Sequence, residues 1–316
     1  MIVAGVDVSS EELVVRVSSD TKVLRYENKP KGIRILIAMM KKLGVTLVVC
    51  EHTGRYEWEL LLALWKQKVV VHCAQPKAVH NFAKARKANG KSDPIDAETI
   101  MQYGLRMEVE PTNPPSKGVI ALKEITARRD DLNGMLVQEI NRLKAPATSA
   151  SGKKGIQAHV RYLKTALLKN AEQIAQVIDD DPSLKAPIEC LDKEHGVGLI
   201  TAACVYASMP ELGTLTRQTS AALGGLAPFL RESGKFSGQR KIYGGRTQAR
   251  NALYMVALSV IRKKNHVLHS FYLRLKKAGK HNSVALTAVM RKLIIRFNTK
   301  MKELLALQAK KLPLSA

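Results

Sequence analysis

The stretch IVAGVDVS (2–9) begins a series of short apolar segments that decides the fold of the first hundred residues. ELVVRVS (12–18) and KVLRYEN (22–28) follow it, are rich in β-branched residues and are joined by short connections. Such runs predict a meander of three antiparallel strands. The next segment, KGIRILIAMMKKLG (31–44), has apolar residues at helical spacing and ends at Gly44, a residue type that often terminates helices.

Strand and helix patterns then alternate. VTLVVCE (45–51) is an almost continuous apolar run, as expected of a buried parallel strand. YEWELLLALWKQK (56–68) has a helical pattern, and VVVHCAQP (69–76) reads as a further strand. Three antiparallel strands followed by helix, strand, helix and strand is the order of an RNase-H-like (RuvC-like) fold. The sequence therefore predicts an α/β domain of this type over residues 1–110.

The remaining chain is predicted to be helical. EVEPTNPPS (108–116) is a proline-bearing linker, and two long helical stretches joined by PATSASGKK (146–154) predict an antiparallel hairpin, with coiled-coil character, over 117–182. Residues 183–316 are expected to form a helical DNA-binding domain. Their basic character is strongest near the end, where 262–311 hold fourteen Lys and Arg residues against one acid.

The charge balance indicates a polyanionic partner. The chain has 51 Lys and Arg against 27 Asp and Glu, a formal net charge of +24 and a pI near 10. Such a surface repels itself unless a polyanion neutralises it, which favours nucleic acid over a merely solvated basic surface or an anionic membrane. No segment reaches about 18 uninterrupted apolar residues and no signal peptide is recognisable, so a cytoplasmic location without membrane contact is expected.

The cysteines carry no metal signature along the chain. Cys50, Cys73, Cys190 and Cys204 show no C-x-x-C spacing, and none lies beside a pair of histidines in the sequence. Zinc sites usually need such spacing, so no zinc site is expected. All four cysteines lie in apolar contexts and are interpreted as reduced core residues of a cytosolic protein.

Four acids stand out in a chain that has few. Asp7 lies in the first strand, Glu51 ends the apolar strand, and Asp93 and Asp96 lie three apart in KSDPIDAETI (91–100) at the start of a helix. In an RNase-H-like fold these four carboxylates converge, and hard oxygen ligands select Mg²⁺ or Mn²⁺. The alternative is that the last two acids only cap the helix, with Pro94 at its first turn. A buried unpaired carboxylate in a strand is costly, which favours the metal site.

Two glycine-bearing motifs occur in the C-terminal half. In EHGVGLITA (194–202), Gly196 and Gly198 precede an apolar helix, as in a helix-hairpin-helix element whose backbone N–H groups approach a DNA phosphate. A simple turn between two buried helices is the alternative. RESGKFSGQRKIYGG (231–245) holds two serines and almost no core-forming side chains. The predicted phosphate-binding cations in and beside it are Arg231, Lys235, Arg240, Lys241 and Arg246.

Together these motifs resemble a known family. The set, in chain order, is GVDVSS, CEHTGRYEW, KSDPIDAETI, QEINRL, HGVGLITA, ALGGLAPF, RESGKFSGQRKIYGGR and RNALYMVAL. It resembles the DEDD-type transposases of the insertion-sequence "one-ten" family, recombinases described as guided by a bridge RNA, over nearly the entire chain. One departure is His195, where the family usually has proline before the first glycine of the turn.

The resemblance implies a mechanism and partners. Asp7, Glu51, Asp93 and Asp96 would hold Mg²⁺ or Mn²⁺, which polarises a DNA phosphate and stabilises the leaving oxygen, while Ser233 attacks that phosphate and forms a phosphoserine link. Donor and target DNA, a structured guide RNA and a homodimer or homotetramer are implied, in the cytoplasm and at the nucleoid of a bacterium. The alternative is that Ser233 is a loop serine that only contacts phosphate and has no catalytic role.

Three alternatives remain open at this point. A metal-dependent nuclease or Holliday-junction resolvase would keep the carboxylate site without a covalent serine step. A site-specific invertase would share the chemistry and differ in its biology. A non-catalytic nucleic-acid-binding protein would use the acids as helix caps only.

Overall fold

The structure is a computed structural model that describes residues 1–86, 93–146, 149–229, 232–233, 236–237 and 241–311. At residues 93–94, 232–233, 236–237 and 311 the description is confined to the backbone. The chain divides into two compact units, Met1–Pro115 and Ser116–Ala316. The division between them falls at the end of the predicted proline-bearing linker.

The first unit is built on one five-stranded sheet. Its strands are β1 (Val3–Val8), β2 (Glu12–Val17), β3 (Val23–Glu27), β4 (Leu47–Glu51) and β5 (Val71–Ala74). Their order across the sheet is β3-β2-β1-β4-β5, with antiparallel pairing in the β1–β2–β3 meander and parallel pairing of β1 with β4 and of β4 with β5. The predicted order of strands and helices along the chain is confirmed, and the mixed α/β unit is consistent with an RNase-H-like transposase domain.

Helices cover both faces of this sheet. They are α1 (Pro30–Lys42), α2 (Trp58–Lys66), α3 (Pro76–Ala85) and α4 (Asp93–Arg106). On one face the side chains of Ile33 and Leu60, from α1 and α2, pack on Val6 of β1. On the other, Val79 of α3 and Ile100 of α4 pack on strand residues that alternate with those. Both faces of β1 and β4 are therefore buried, which explains their unbroken apolar runs.

Two glycines let α4 lie directly against the sheet. A Cβ atom at Gly5 of β1 would lie 2.3 Å from the backbone nitrogen of Met101 and 2.4 Å from the carbonyl oxygen of Ala97. A Cβ atom at Gly104 would lie 2.5 Å from Cγ2 of Val49 in β4. Only glycine permits so close a backbone approach. The helix is held in one register against both central parallel strands.

The second unit begins with two long antiparallel helices, α5 (Lys117–Lys144) and α6 (Ala150–Asp180). Between the first half of α5 and the second half of α6, the side-chain amide of Asn170 donates to the carbonyl oxygen of Ile125 at 3.0 Å. The helix α6 starts at Ala150, earlier than the predicted loop over 146–154 allows. The hydroxyl of Ser149 accepts a hydrogen bond from the Gly152 N–H, so this serine caps α6 and its Gly-Lys residues continue the helix.

Six further helices pack against the first half of α5 and the second half of α6. They are α7 (Pro182–Asp192), α8 (Leu199–Ser208), α9 (Arg217–Leu223), α10 (Thr247–Arg262), α11 (Val267–Lys277) and α12 (Asn282–Lys311). One core joins them, with Leu122 of α5 and Ile174 of α6 contributing to it. Among the residues that the structure describes, no helix combines the length and the apolar character needed to cross a bilayer.

Short strands interrupt the helices between α9 and α10. β6 (Pro228–Phe229) pairs with β9 (Lys241–Ile242), and β7 (Glu232–Ser233) pairs with β8 (Phe236–Ser237), both antiparallel. The sequence had suggested only a loop here. The segment has too few apolar residues for a buried helix, and a two-residue ladder satisfies backbone groups without a core.

Candidate active site

Asp7 and Glu51 lie side by side at the carboxyl ends of adjacent parallel strands. Gly5 of β1 is in register with Val49 of β4, and both contact α4. Side chains alternate between the faces of a strand, so the residues two positions further along, Asp7 and Glu51, face the same side as these two. Both carboxylates are half-buried.

The first turn of α4 brings the remaining acids to this edge. Ala97 and Met101 lie over Gly5, whereas Gly104 lies over Val3 and Val49, so α4 runs opposite to β1 and β4. Its N-terminus therefore lies beside their carboxyl ends, with Asp96 half-buried in the first turn. The backbone of Asp93 forms the first residue of α4, and its side chain lies outside the described part of the structure.

The electrostatics of Glu51 indicate that three carboxylates lie near one another. Burial raises the pKa of Glu51 to about 7, and the negative charges of Asp7 and Asp96 add to that rise. A carboxyl group beside two like charges ionises reluctantly because the charges repel in a poorly solvated setting. Carboxylate oxygens are of the ligand type that suits a hard divalent cation such as Mg²⁺ or Mn²⁺, whose charge would relieve the repulsion.

An ion pair fixes α4 laterally. The Nε atom of Arg16 in β2 lies 2.9 Å from Oε2 of Glu98 in α4. The side chain of Arg16 is only 17% exposed, and Glu98 follows Asp96 by two residues. Arg16 therefore helps to set the position of the helix turn that carries the acid, and nothing in the sequence pairs these two residues, 82 positions apart.

In the second unit the glycine turn lies where the sequence placed it. Gly196 has φ +79°, and a Cβ there would lie 2.8 Å from Oγ of Ser259 in α10, so both conformation and space require glycine. Gly198 is the N-cap of α8, with open space around its Cα. His195, which stands where the resemblance expects proline, has its ring 5.7 Å from that of His266.

The segment that carries Ser233 is described in part. The backbone of Ser233 pairs with Phe236 in the β7–β8 ladder, and its side chain lies outside the description. The predicted phosphate ligands Arg231, Lys235 and Arg240 also lie outside the described residues. Lys241 is exposed in β9. Nothing in the described part of the chain tests the role of the serine.

Comparisons with known proteins decide the family. Residues 4–149, which span the four acids, match a DEDD-type profile of IS110 described as "Transposase". Residues 188–273, which span the glycine turn and Ser233, match a profile described as "Transposase IS116/IS110/IS902 family". The chain belongs to the IS110 transposase family. It is therefore an enzyme that acts on DNA, a transposase or recombinase, and DNA is its partner.

Two curated proteins are similar to this chain over most of its length. The transposase is 27% identical over 252 residues to the "Pilin gene-inverting protein" of Moraxella bovis, and equally to that of Moraxella lacunata. Each match covers 78% of this chain and 77% of the relative. The match is therefore long enough to include parts of both units.

Arg246 of the transposase is engaged inside the second unit. Its Nη1 and Nη2 atoms donate to the two carboxylate oxygens of Glu211 at 2.6 and 2.8 Å, and Nη1 also donates to the carbonyl oxygen of Ser208 at 2.7 Å. The guanidinium lowers the pKa of Glu211, although burial opposes that change. Such a bidentate pair positions the start of α10, so phosphate binding by Arg246 would have to compete with it.

A second group of titratable side chains lies at the ends of β4 and β5. His52 follows Glu51, and its Nδ1 atom lies 3.3 Å from Sγ of Cys73 and 3.2 Å from Oε1 of Glu57. The neighbouring thiol of Cys50, together with His52, lowers the pKa of Cys73. Spacing along the chain did not reveal this group, because it depends on the register that pairs Cys50 with Cys73.

Proposed function

We propose that this IS110 transposase cuts and rejoins DNA through a covalent link to Ser233, with Mg²⁺ or Mn²⁺ held by Asp7, Glu51, Asp93 and Asp96. The observation that carries the proposal is the convergence of half-buried Asp7, Glu51 and Asp96 at one sheet edge, where Glu51 has a pKa of about 7. A site that exists only to cap a helix would not gather acids from two strands.

The role of each residue in this reaction follows from the chemistry of its side chain. Oγ of Ser233 would form a bond to phosphorus while one bond from phosphorus to a deoxyribose oxygen breaks. The hydroxyl proton is lost and the departing oxygen takes one up, so the bond energy is retained for rejoining. When bound, the divalent ion supplies positive charge to phosphate oxygens. The carboxylates hold that charge in place, and Lys241 binds the DNA backbone.

A matched pair of serine variants tests the covalent step. The transposase, purified with its accompanying nucleic acid, is incubated with a nicked suicide duplex from the ends of its own DNA segment. Ser233→Ala is expected to yield no protein–DNA adduct on a denaturing gel, whereas Ser237→Ala, from the paired strand β8, retains it. An adduct with Ser233→Ala would overturn the proposal. Cleavage without any adduct in the unaltered protein would identify a metal nuclease or resolvase.

The proposal includes a structured guide RNA and an oligomer. The guide RNA is implied by the family resemblance alone, and double-stranded RNA is bound largely through shape and backbone. The long pair α5 and α6 would join protomers into a homodimer or homotetramer, and the glycine turn at Gly196 would act as a helix-hairpin-helix element. Sequencing of co-purified nucleic acid is expected to find an RNA encoded beside the gene. Random cellular RNA would contradict guidance.

Site-specific inversion is a second candidate. The two curated relatives are named as pilin gene-inverting proteins, and each match includes most of this chain. Serine-mediated strand exchange between two sites in one DNA molecule would invert the segment between them. Long-read sequencing of the source genome separates the two: reads with one locus in both orientations indicate inversion, and copies at new loci indicate transposition.

A further inference from the structure

The group formed by His52, Glu57 and Cys73 has the composition of a transition-metal site. One ligand atom from each residue lies within 4.8 Å of the other two. The two separations from Nδ1 of His52 are 3.2 and 3.3 Å. Ligands of a tetrahedral Zn²⁺ ion, bound at about 2.0–2.3 Å, lie roughly 3.3–3.6 Å from one another. The three atoms are therefore close to the arrangement that such an ion requires.

The surrounding hydrogen bonds hold the ligands in place. Glu57 is only 3% exposed, and its Oε2 atom accepts hydrogen bonds from the Thr53 N–H, the Thr53 hydroxyl and the Arg55 N–H. The other oxygen, Oε1, is thereby directed to His52. The backbone N–H of Cys73 donates to the hydroxyl of Thr112 at 2.9 Å, beside the end of β5. Hydrogen-bond partners of this kind orient the ligands of metal sites.

The donor set differs in kind from the carboxylate site. A thiolate, an imidazole and a carboxylate suit Zn²⁺, whereas Mg²⁺ avoids sulfur. His52 is exposed, so an ion can reach the group from solvent, and a fourth position remains for water. We propose that Nδ1 of His52, Oε1 of Glu57 and Sγ of Cys73 bind Zn²⁺ in this transposase. Because His52 follows Glu51 directly, the bound ion would fix the chain where it leaves β4.

Cobalt substitution tests the site independently of DNA chemistry. Co²⁺ is added to the metal-free full-length protein in excess Mg²⁺, which occupies the carboxylates, and absorption from thiolate-to-cobalt charge transfer is recorded. The band is expected in the unaltered protein and is expected to vanish when Zn²⁺ is added. Cys73→Ser should lose it, and Cys190→Ser, at a partly buried thiol of the second unit, should keep it. Asp96→Asn should also keep it.

A second variant tests the zinc site at an exposed residue, where a substitution does not disturb the core. His52→Ala alters an exposed side chain, and Zn²⁺ affinity measured by chelator competition is expected to fall at least about 10-fold, the loss that removal of even an outer hydrogen-bond partner causes. No charge-transfer band in the unaltered protein, or an unchanged band in Cys73→Ser, would overturn the proposal and leave a hydrogen-bonded triad. Neither result bears on the serine adduct, so the two proposals fail separately.

Discussion

The carboxylate edge of the first unit and the serine segment of the second are built in opposite ways. Asp7 and Glu51 extend from central strands buried on both faces, and α4 is locked over them through Gly5. The segment around Ser233 consists of two-residue strands, and none of residues 227–229 and 241–248 is buried. Core packing positions the acids, whereas backbone ladders and glycine turns position the serine backbone.

The contrast indicates which of the two sites must be rigid before DNA binds. A metal site needs its ligands in place before the ion arrives, because repelling carboxylates would otherwise move apart. A nucleophile in a basic, glycine-rich segment can be placed by the DNA itself, through contacts between phosphate and backbone. We therefore expect changes at the sheet edge to affect folding and catalysis together, and changes in the serine segment to affect DNA chemistry alone.

The largest expected effect comes from removing one carboxylate charge. Glu51→Gln is expected to lower Mg²⁺-dependent adduct formation about a thousandfold, since preorganised charge stabilisation of that size is lost with a single group. Initial rates on the suicide duplex measure the effect. Glu59→Gln, an exposed acid in the same unit, is the control and should retain full activity. Normal rates with Glu51→Gln would show that the carboxylates are not catalytic.

Gly5→Ala probes the packing that creates the edge. The added Cβ would overlap the backbone of α4 at 2.3 Å, so the first unit is expected to lose about 3 kcal/mol of unfolding free energy. Both tryptophans, Trp58 and Trp65, lie in this unit, so their fluorescence in urea reports on it alone. Gly134→Ala, in open space on α5, should be neutral or slightly stabilising. Equal stability of the two variants would refute close packing at Gly5.

The raised pKa of Glu51 makes the stability of the first unit depend on pH. The folded state binds a proton up to about pH 7, whereas an unfolded glutamate releases it near its ordinary value of 4.5. Metal-free protein is therefore expected to lose stability as pH rises from about 4.5 to 7. Tryptophan-monitored unfolding should show that fall, and Glu51→Gln should flatten it. A rise in stability over this range that Glu51→Gln abolishes would contradict the assigned direction.

The same contrast explains what could be read from the sequence. Strand order and the acids at strand ends were predictable, because alternation along a strand and an apolar run on both faces are local patterns. The contact of α4 with the sheet at Gly5 and Gly104 decides how the acids meet, and it depends on tertiary packing that a single residue type only hints at. Two statements remain predictions: that Asp93 joins the other three acids, and that Ser233 acts as the nucleophile.

Two further features could not be predicted from the sequence, because each depends on a contact between residues that are distant in the chain. The approach of His52 to Cys73 depends on strand register, which sequence spacing does not encode. The expectation that all four cysteines are plain core residues overlooked this neighbour. Arg246 was assigned to phosphate from its place in a basic motif, but its bidentate partner Glu211 lies 35 residues earlier in the chain.

Arg246 is expected to act on stability more than on DNA binding. Arg246→Ala removes a bidentate pair and leaves the partly buried carboxylate of Glu211 without these donors, a loss of about 2 kcal/mol. Thermal unfolding followed by circular dichroism measures it. Lys241→Ala, at an exposed residue of β9, is the control and should leave the melting temperature unchanged. Equal melting of the two variants would mean that the ion pair contributes little.

Lys241 is expected to have the smallest effect, confined to DNA affinity. An exposed lysine that contacts one phosphate releases about one counterion, so Lys241→Ala should lower the slope of log affinity against log salt by about 1 for any duplex sequence. Fluorescence anisotropy with an unrelated duplex over a salt series measures the slope. Arg246→Ala should leave it unchanged, because that guanidinium is held by Glu211. The opposite result, a changed slope for Arg246→Ala alone, would place the phosphate contact at α10 and remove the contrast between the two cations.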